Sequence, residues 1–136
     1  MVEVNYLAVL VSGVAAMLLG ATWYGPLFGK VWMQGAGIKA ADIEKAKKRG
    51  MALSYLVNFV AALLMAYVLA HFLKLIGVAE MKAGLEMAFW VWLGFIATIQ
   101  LGSVLWEMKS MKYYLVNAVY YLFSFLMMAA ILTAWV

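Results

Sequence analysis

The distribution of charged residues constrains the fold of this chain more than any other feature of its sequence. Four long segments contain no Asp, Glu, Lys or Arg, and they cover residues 4–29, 50–73, 87–106 and 113–136. About 20 apolar residues are enough for a helix to cross the hydrocarbon core of a bilayer, and each segment reaches that length. Since a helix satisfies its backbone hydrogen bonds internally, the pattern predicts an all-α integral membrane protein with four transmembrane helices.

The composition excludes several other classes of protein. Hydrophobic residues make up 69% of the 136 residues and charged residues only 12%, which leaves too little polar surface to cover a soluble globule. An ordinary soluble enzyme, a disordered tail and a nucleic-acid-binding module are therefore excluded. We expect one transmembrane domain over residues 1–136, with spans at about 4–24, 51–73, 86–106 and 113–135 and a basic loop at 25–50. The first span is placed to end near Tyr24, because Gly25 and Pro26 disfavour a continuous helix.

The lysines and arginines predict the orientation of the chain in the membrane. The second loop carries two of them and the N-terminal segment none, whereas the first and third loops together carry eight: Lys30, Lys39, Lys45, Lys47, Lys48, Arg49, Lys109 and Lys112. Cytoplasmic loops are enriched in these residues, so both basic loops are predicted to be cytoplasmic and both termini outside. Residues 38–49 predict either an amphipathic helix on the inner leaflet or a solvated loop that only sets the topology. Membrane lipids are expected partners.

Two segments of the chain are similar to each other. Residues 55–60 read YLVNFV and residues 114–119 read YLVNAV, so that five of six positions match at an offset of 59. Both segments begin a span that runs in the same direction, which is consistent with two helical hairpins in a parallel repeat. Chance matches are common in an apolar alphabet, and that alternative stays open. In a true repeat, Asn58 and Asn117 are equivalent positions.

Polar side chains inside the predicted spans are candidates for a functional site, because a polar group in lipid needs a partner, water or a role. Five of them fall in the cytoplasmic halves of the spans and a sixth candidate, Glu107, follows near the interface; the five are Asn58, Thr98, Gln100, Ser103 and Asn117. Three of the six follow an i, i+3, i+7 spacing and share one helix face. The six residues either line a path for a small polar solute or ion, or bond the helices to one another through their amides.

Catalytic and metal-binding motifs are not found in the sequence. It contains no nucleophile–base signature, phosphate-binding loop or dinucleotide fingerprint. His71 is the only histidine and cysteine is absent, so neither a metal site nor a cofactor is expected. We accordingly expect a protein that is not an enzyme and that has no nucleic-acid partner.

Residues 23–33, which read WYGPLFGKVWM, form the most distinctive motif of the chain. Together with Asn5-Tyr6, residues 92–95 and Asn117 with Tyr120, this motif resembles the domain of unknown function 1761 (DUF1761) family of small bacterial membrane proteins. The resemblance implies four helices in a bacterial cytoplasmic (inner) membrane, and it implies no activity. The motif also has a physical interpretation as an interfacial segment with a short helix from Pro26 to about Met33. Its residues then either gate a cytoplasmic opening or merely turn the chain: Trp23, Tyr24, Gly25, Pro26, Phe28, Gly29, Lys30 and Trp32.

Two functional hypotheses follow from these patterns. The first is a non-enzymatic, homo-oligomeric channel or carrier-like protein that conducts a small polar solute or ion along the six polar residues. The second is a structural or accessory membrane subunit that binds a partner helix or lipid. The sequence predicts the location of the protein more sharply than its activity.

Overall fold

The computed structural model describes residues 3–135, and they form an all-helical bundle with no strand among them. Four helices are long and apolar enough to cross a membrane: α1 Tyr6–Leu27, α4 Ala52–Ile76, α5 Met81–Leu105 and α6 Met111–Ala134. They contain 22 to 25 residues each, or about 33 Å or more at 1.5 Å per residue. The predicted fold class is confirmed, and the chain is a multi-pass membrane protein. Two short helices, α2 Gly29–Ala36 and α3 Ala40–Arg49, lie between α1 and α4.

The helices extend further at one end of the bundle than the uncharged segments predicted. Helix α4 continues to Ile76 and α5 begins at Met81, so that Lys74, Lys82 and Glu86 all lie within helices. Long charged side chains are tolerated near the ends of a span because their apolar stems stay in lipid while the charge reaches water. Charged residues therefore mark the membrane boundary and not the helix boundary.

Local signals in the sequence fix several helix ends. The Asn5 side chain accepts a hydrogen bond from the Ala8 backbone N–H at 3.1 Å and so caps the start of α1. In the same way the Ser110 hydroxyl accepts from the Tyr113 N–H at 3.1 Å and caps α6. Helix α4 ends at Gly77, whose φ of 78° lies in the left-handed region that glycine adopts without strain.

Helix α6 occupies the centre of the bundle. It packs against α1 on one side and α5 on the other, and the short helix α2 also lies against it. Helix α4 packs mainly on α1, and α4 and α5 have the least contact of the neighbouring spans. The two halves of the chain each form a packed helical hairpin, α1 with α4 and α5 with α6, and α1 also packs on α6, so the parallel repeat stays a prediction.

The two ends of the bundle are packed differently. We call the end formed by residues 28–51 and 106–110 the basic end, because eight of the ten lysines and arginines lie at it or in the adjoining turns. Toward the opposite end, small side chains let the helices approach closely, as is typical where lipid supplies no hydrophobic force between helices. Four of these small residues are completely buried, namely Ala8, Ala66, Ala88 and Ala129, and so is the larger Met128 that packs among them. At the basic end the core consists instead of Trp23, Val116 and Tyr120 with further aromatic rings around them.

Candidate functional site

The site is organised by a kink in α1. The helix widens into a π-helical turn over Trp23–Leu27, where Gly25 has the non-helical angles φ −97° and ψ −105°. Pro26 lacks a backbone N–H and cannot continue the hydrogen-bond ladder. The chain turns here and re-enters a helix at Gly29, so that α2 lies against α6 instead of continuing away from the bundle. Pi-helical turns of this kind are frequent at functional sites.

Three hydrogen bonds join α1 to α6 at this kink. The Trp23 indole Nε1 donates to the Val116 carbonyl at 2.9 Å, and the Tyr24 hydroxyl donates to the Asn117 Oδ1 atom at 2.6 Å. In the reverse direction the Tyr120 hydroxyl donates to the carbonyl of Ala16 at 3.1 Å. These bonds satisfy polar groups that would otherwise be unpaired inside the membrane, and they fix the orientation of the aromatic rings.

Five aromatic rings follow one another without a gap along this junction. The distances between successive ring centres are 6.4 Å from Tyr113 to Trp32, 5.7 Å from Trp32 to Tyr24, 5.1 Å from Tyr24 to Tyr120 and 5.1 Å from Tyr120 to Tyr121. We call these five residues the aromatic wall. Three of these contacts are edge-to-face and the one between Trp32 and Tyr113 is stacked, and both geometries stabilise aromatic clusters beyond the area that they bury.

The aromatic wall forms one side of a cavity of about 710 Å³, which we call the main cavity. Its other polar lining comes from three amide side chains and the phenol group of Tyr55, and no charged residue of the described part of the chain lines it. The volume lies within the range of small-molecule binding sites, about 300–1,000 Å³. The lining residues outside the wall are Met17, Gly20, Ala21, Gly25, Tyr55, Asn58, Gln100 and Asn117.

A smaller cavity of about 290 Å³ adjoins the main cavity. The two share Gln100, Tyr113 and Asn117, and the smaller one adds Ser103 and Glu107 from the end of α5. The side chain of Gln100 is largely enclosed, and its Oε1 atom has no hydrogen-bond partner among the described residues. The amide oxygen is thus an acceptor for which the described residues supply no donor, and because it is enclosed, the Gln100 side chain has to rotate before a ligand in either cavity can reach it.

The position of Gln100 depends on a second irregular turn. Helix α5 widens into a π-helical turn over Trp92–Ala97, and both ends of this turn are bonded to α6. The Trp92 indole donates to the Ala118 carbonyl at 2.7 Å, and the Tyr114 hydroxyl donates to the Ala97 carbonyl at 2.8 Å. The two bonds hold the following turn of α5, and Gln100 with it, beside α6.

The comparison with protein families agrees with the motif in the first loop. A model for a family described as a protein of unknown function, DUF1761, matches residues 7–133. The chain belongs to the DUF1761 family. No curated protein and no solved structure matches it, so the function of this DUF1761 protein has to be inferred from the site itself.

Five of the six polar residues predicted from the sequence line a cavity of the DUF1761 protein. Asn58, Gln100 and Asn117 line the main cavity, although they come from three different helices, and Ser103 and Glu107 line the smaller one. The sixth, Thr98, is exposed and lines neither cavity. Its hydroxyl donates to the Gly94 carbonyl of its own helix at 2.7 Å, which is how a lone hydroxyl is satisfied in lipid.

The residues of the first-loop motif lie deeper than an interfacial segment predicts. Tyr24, Gly25 and Trp32 line the main cavity, and Trp23 is buried with its ring centre 4.6 Å from that of Phe28. The rings turn inward because α6 offers their indole and phenol groups hydrogen-bond acceptors. The predicted short helix exists, but it begins at Gly29, where a Cβ atom would collide with the Tyr24 carbonyl, and not at Pro26. In the same motif, Lys30 is exposed.

Sequence reasoning missed most of the tyrosines that line the main cavity. The signal was present in α6, where Tyr113, Asn117, Tyr120 and Tyr121 follow the i, i+4, i+7, i+8 spacing of one helix face. The signal was hidden at Tyr113, because tyrosine at the end of a span is also typical of a membrane interface. Chemically, the completed site offers aromatic faces, phenol groups and neutral amides, which are groups that pack against a ligand and hydrogen-bond to it.

Proposed function

We propose that this DUF1761 protein is a non-enzymatic, carrier-like protein of the bacterial cytoplasmic membrane that takes up a small polar solute or ion. The observation that carries the proposal is the main cavity, which collects Asn58, Gln100 and Asn117 from three helices at one end of the bundle. Amides scattered only to bond helices in pairs would not be expected to face a common space of this size. The bound solute is held by hydrogen bonds to the amides and by contact with aromatic rings.

The main cavity opens toward the cytoplasm in this proposal. The basic end of the bundle carries eight of the ten lysines and arginines, and such residues stay on the cytoplasmic side during membrane insertion. The main cavity lies in the half of the bundle next to that end. The solute therefore reaches the main cavity from the cytoplasm, and both termini lie outside.

A carrier-like mechanism fits the packing better than an open channel through one chain. A cavity of about 60 Å³ continues from the main cavity to Ser124 and Met128. Beyond it the completely buried residues Ala8, Ala66 and Ala129 fill the space between the helices. Passage across the membrane requires this packed half to open, and the irregular turns in α1 and α5 are the segments where the helix ladder is already interrupted.

Cysteine accessibility tests this proposal, and the natural chain suits the method because it contains no cysteine. Asn58→Cys and Gln100→Cys variants are reacted with a membrane-impermeant maleimide in inside-out and in right-side-out vesicles. We expect labelling of both variants from the cytoplasmic side only. An exposed Lys45→Cys variant serves as the positive control and the completely buried Ala129→Cys as the negative control.

The other two outcomes would each overturn the carrier-like proposal. Labelling from both sides of the membrane would indicate a continuous channel. Failure of both cavity variants to react, with Lys45→Cys labelled normally, would mean that the main cavity is closed to water. The amides would then act only as bonds between helices.

A second function is favoured by a different observation, the lipid-facing side of α5. Gly94 and Thr98 are exposed there next to Phe95 and Ile99, which are 65% and 74% exposed. Small residues one turn apart allow another helix to approach closely, as in a homo-oligomer or in an accessory subunit bound to a partner. Native mass spectrometry of the protein in nanodiscs made from its own membrane distinguishes a homo-oligomer from an accessory subunit. A complex whose mass is a whole multiple of the mass of this chain indicates a homo-oligomer. An additional mass in fixed stoichiometry indicates a partner protein.

A further inference from the structure

The main cavity combines aromatic rings with an absence of charge. Six of its thirteen lining residues are aromatic, namely the aromatic wall and Tyr55, and none is charged. Aromatic faces carry negative electrostatic potential, so they attract organic cations at ring-centre distances up to about 6 Å. An inorganic anion gains no comparable attraction from a continuous wall of rings.

One ring of the wall is already in contact with a cation from the chain itself. The Lys109 ammonium lies 5.9 Å from the ring centre of Tyr113 and donates a hydrogen bond to the Ala36 carbonyl at 2.9 Å. Lys109 lines neither cavity. The aromatic wall therefore extends from Tyr113, which contacts the Lys109 ammonium, along the main cavity, which no charged side chain of the described residues lines.

The polar groups of the site also favour a cationic donor. Gln100 presents an enclosed Oε1 acceptor that has no donor among the described residues. The Asn117 Oδ1 atom already accepts from Tyr24, whereas the Asn58 amide N–H donates to the Met17 sulfur at 3.4 Å and leaves its oxygen to other donors. A ligand that brings an N–H or O–H group satisfies the unpaired acceptor, and an anion does not.

The one charged residue lining either cavity is a carboxylate. Glu107 borders the smaller cavity, which shares Gln100, Tyr113 and Asn117 with the main one. Its charge attracts cations toward the opening and offsets part of the repulsion from the surrounding lysines. At physiological ionic strength charges act over about 8 Å, so the main repulsion to be offset is that of Lys109, whose ammonium lies 5.9 Å from the Tyr113 ring.

We propose that the main cavity binds a small organic ammonium cation that also carries a hydrogen-bond donor. The ammonium group lies against the aromatic wall, the Gln100 oxygen accepts from the donor after a rotation of its side chain, and Glu107 raises the local concentration of the cation. This inference rests on the proposed function and names its substrate class. The ammonium group can belong to a free solute or to a lipid headgroup, and the chemistry of recognition is the same for both.

Equilibrium binding of radiolabelled choline to the full-length protein tests the proposal. The protein is placed in nanodiscs of phosphatidylglycerol, a lipid without an ammonium group. Two unlabelled competitors separate the contribution of the positive charge to binding from that of the hydroxyl donor. Tetramethylammonium keeps the charge of choline and lacks the hydroxyl donor. The alcohol 3,3-dimethylbutan-1-ol keeps the shape and the donor of choline but is uncharged. We expect saturable choline binding, competition by tetramethylammonium at a several-fold higher concentration, and at least tenfold weaker competition by the neutral alcohol.

Three variants connect this binding to particular residues. Trp32→Leu is expected to weaken binding of choline and tetramethylammonium about tenfold alike, consistent with the strength of a desolvated cation–π contact. Gln100→Leu is expected to weaken choline binding several-fold and to leave tetramethylammonium binding unchanged. The control is Thr98→Val, which lies on the same helix and lines neither cavity. If Trp32→Leu does not fold, Tyr55→Leu replaces it, because Tyr55 is 57% exposed and has few contacts to lose.

The outcomes distinguish this proposal from the proposed function on which it rests. Equal competition by choline and by the neutral alcohol would overturn the cation specificity and leave a carrier for neutral solutes. Absence of choline binding while Asn58→Cys still labels from the cytoplasm would likewise overturn the cation proposal alone. Adding phosphatidylethanolamine to the nanodiscs identifies the source of the cation: a fall in apparent choline affinity indicates a lipid headgroup, and no change indicates a free solute.

Discussion

The two similar hexapeptides of this chain, residues 55–60 and 114–119, occupy very different environments. In α4 the first of them faces outward, and Val57 is 59% exposed. In α6 the second lies at the centre of the bundle, where the matching Val116 is 8% exposed. Similar sequences therefore do not occupy similar positions, although both begin a span at the basic end.

The single mismatch between the hexapeptides follows from this difference. Residue 59 is a half-buried phenylalanine on α4, whereas its counterpart Ala118 on α6 is 2% exposed and accepts the Trp92 indole bond through its carbonyl. Helix α6 has neighbours on almost every side, so it requires a small residue where α5 crosses it. Helix α4 has few neighbours at this level and accommodates a large ring.

The largest expected effect comes from making the two hexapeptides identical with Ala118→Phe. The phenyl ring would have to displace α5 from α6 and break the Trp92 bond, and overpacking of a core typically costs about 1–3 kcal/mol. We expect a loss of about 3 kcal/mol in the free energy of unfolding, measured by denaturation in mixed micelles. The matched enlargement Val60→Phe, at an exposed position of α4, should change it by less than about 0.5 kcal/mol. Equal losses for the two variants would show that α6 is not the more crowded helix.

An intermediate effect is expected from the two asparagines. Asn117→Leu leaves the Tyr24 hydroxyl without its acceptor, and hydrogen bonds between membrane helices are worth about 0.6–2 kcal/mol. Asn58→Leu removes only a bond to sulfur, which is a weak acceptor, and should cost less than about 0.5 kcal/mol. A double-mutant cycle of Asn117→Leu with Tyr24→Phe, measured in the same micelles, should give a coupling free energy of about 1 kcal/mol. Additive losses would contradict the hydrogen bond.

The smallest expected effect comes from the tyrosines that open the hexapeptides. Tyr114→Phe removes the bond from its hydroxyl to the Ala97 carbonyl and should lower the free energy of unfolding by about 0.6 kcal/mol. Tyr55→Phe changes an exposed residue and should have no measurable effect on stability. Thermal unfolding of the two variants in nanodiscs, run beside the wild-type protein, provides the comparison. A larger loss for Tyr55→Phe would mean that α4 is covered by another helix in the membrane.

Much of the fold was accessible from the sequence. The four spans and the short helix after the first span were predicted within a few residues, because charge and proline act locally. Residues 38–49 were left open between a helix and a loop, and the structure has a helix there over Ala40–Arg49. Among the site residues, Asn58, Gln100 and Asn117 were recognised as polar groups in apolar helices, and the structure places all three at the main cavity. The part played by Trp32 and Tyr113 was not recognised, since an aromatic residue near the end of a span fits a membrane interface as well as a cavity wall.

The sequence by itself determined that the chain forms four membrane-spanning helices, that most of its positive charge lies at one end, and that the two asparagines start their spans in the same way. Only the tertiary structure decided that α6 is central and α4 peripheral, and that the rings around Tyr24 face inward. The physical reason is that lipid and a helix–helix interface are both apolar. In a soluble protein the hydrophobic face of a helix points to the core, whereas in a membrane hydropathy does not tell which face meets a neighbour. That choice depends on close packing and on specific bonds such as Tyr24 to Asn117, which form only after the helices have assembled.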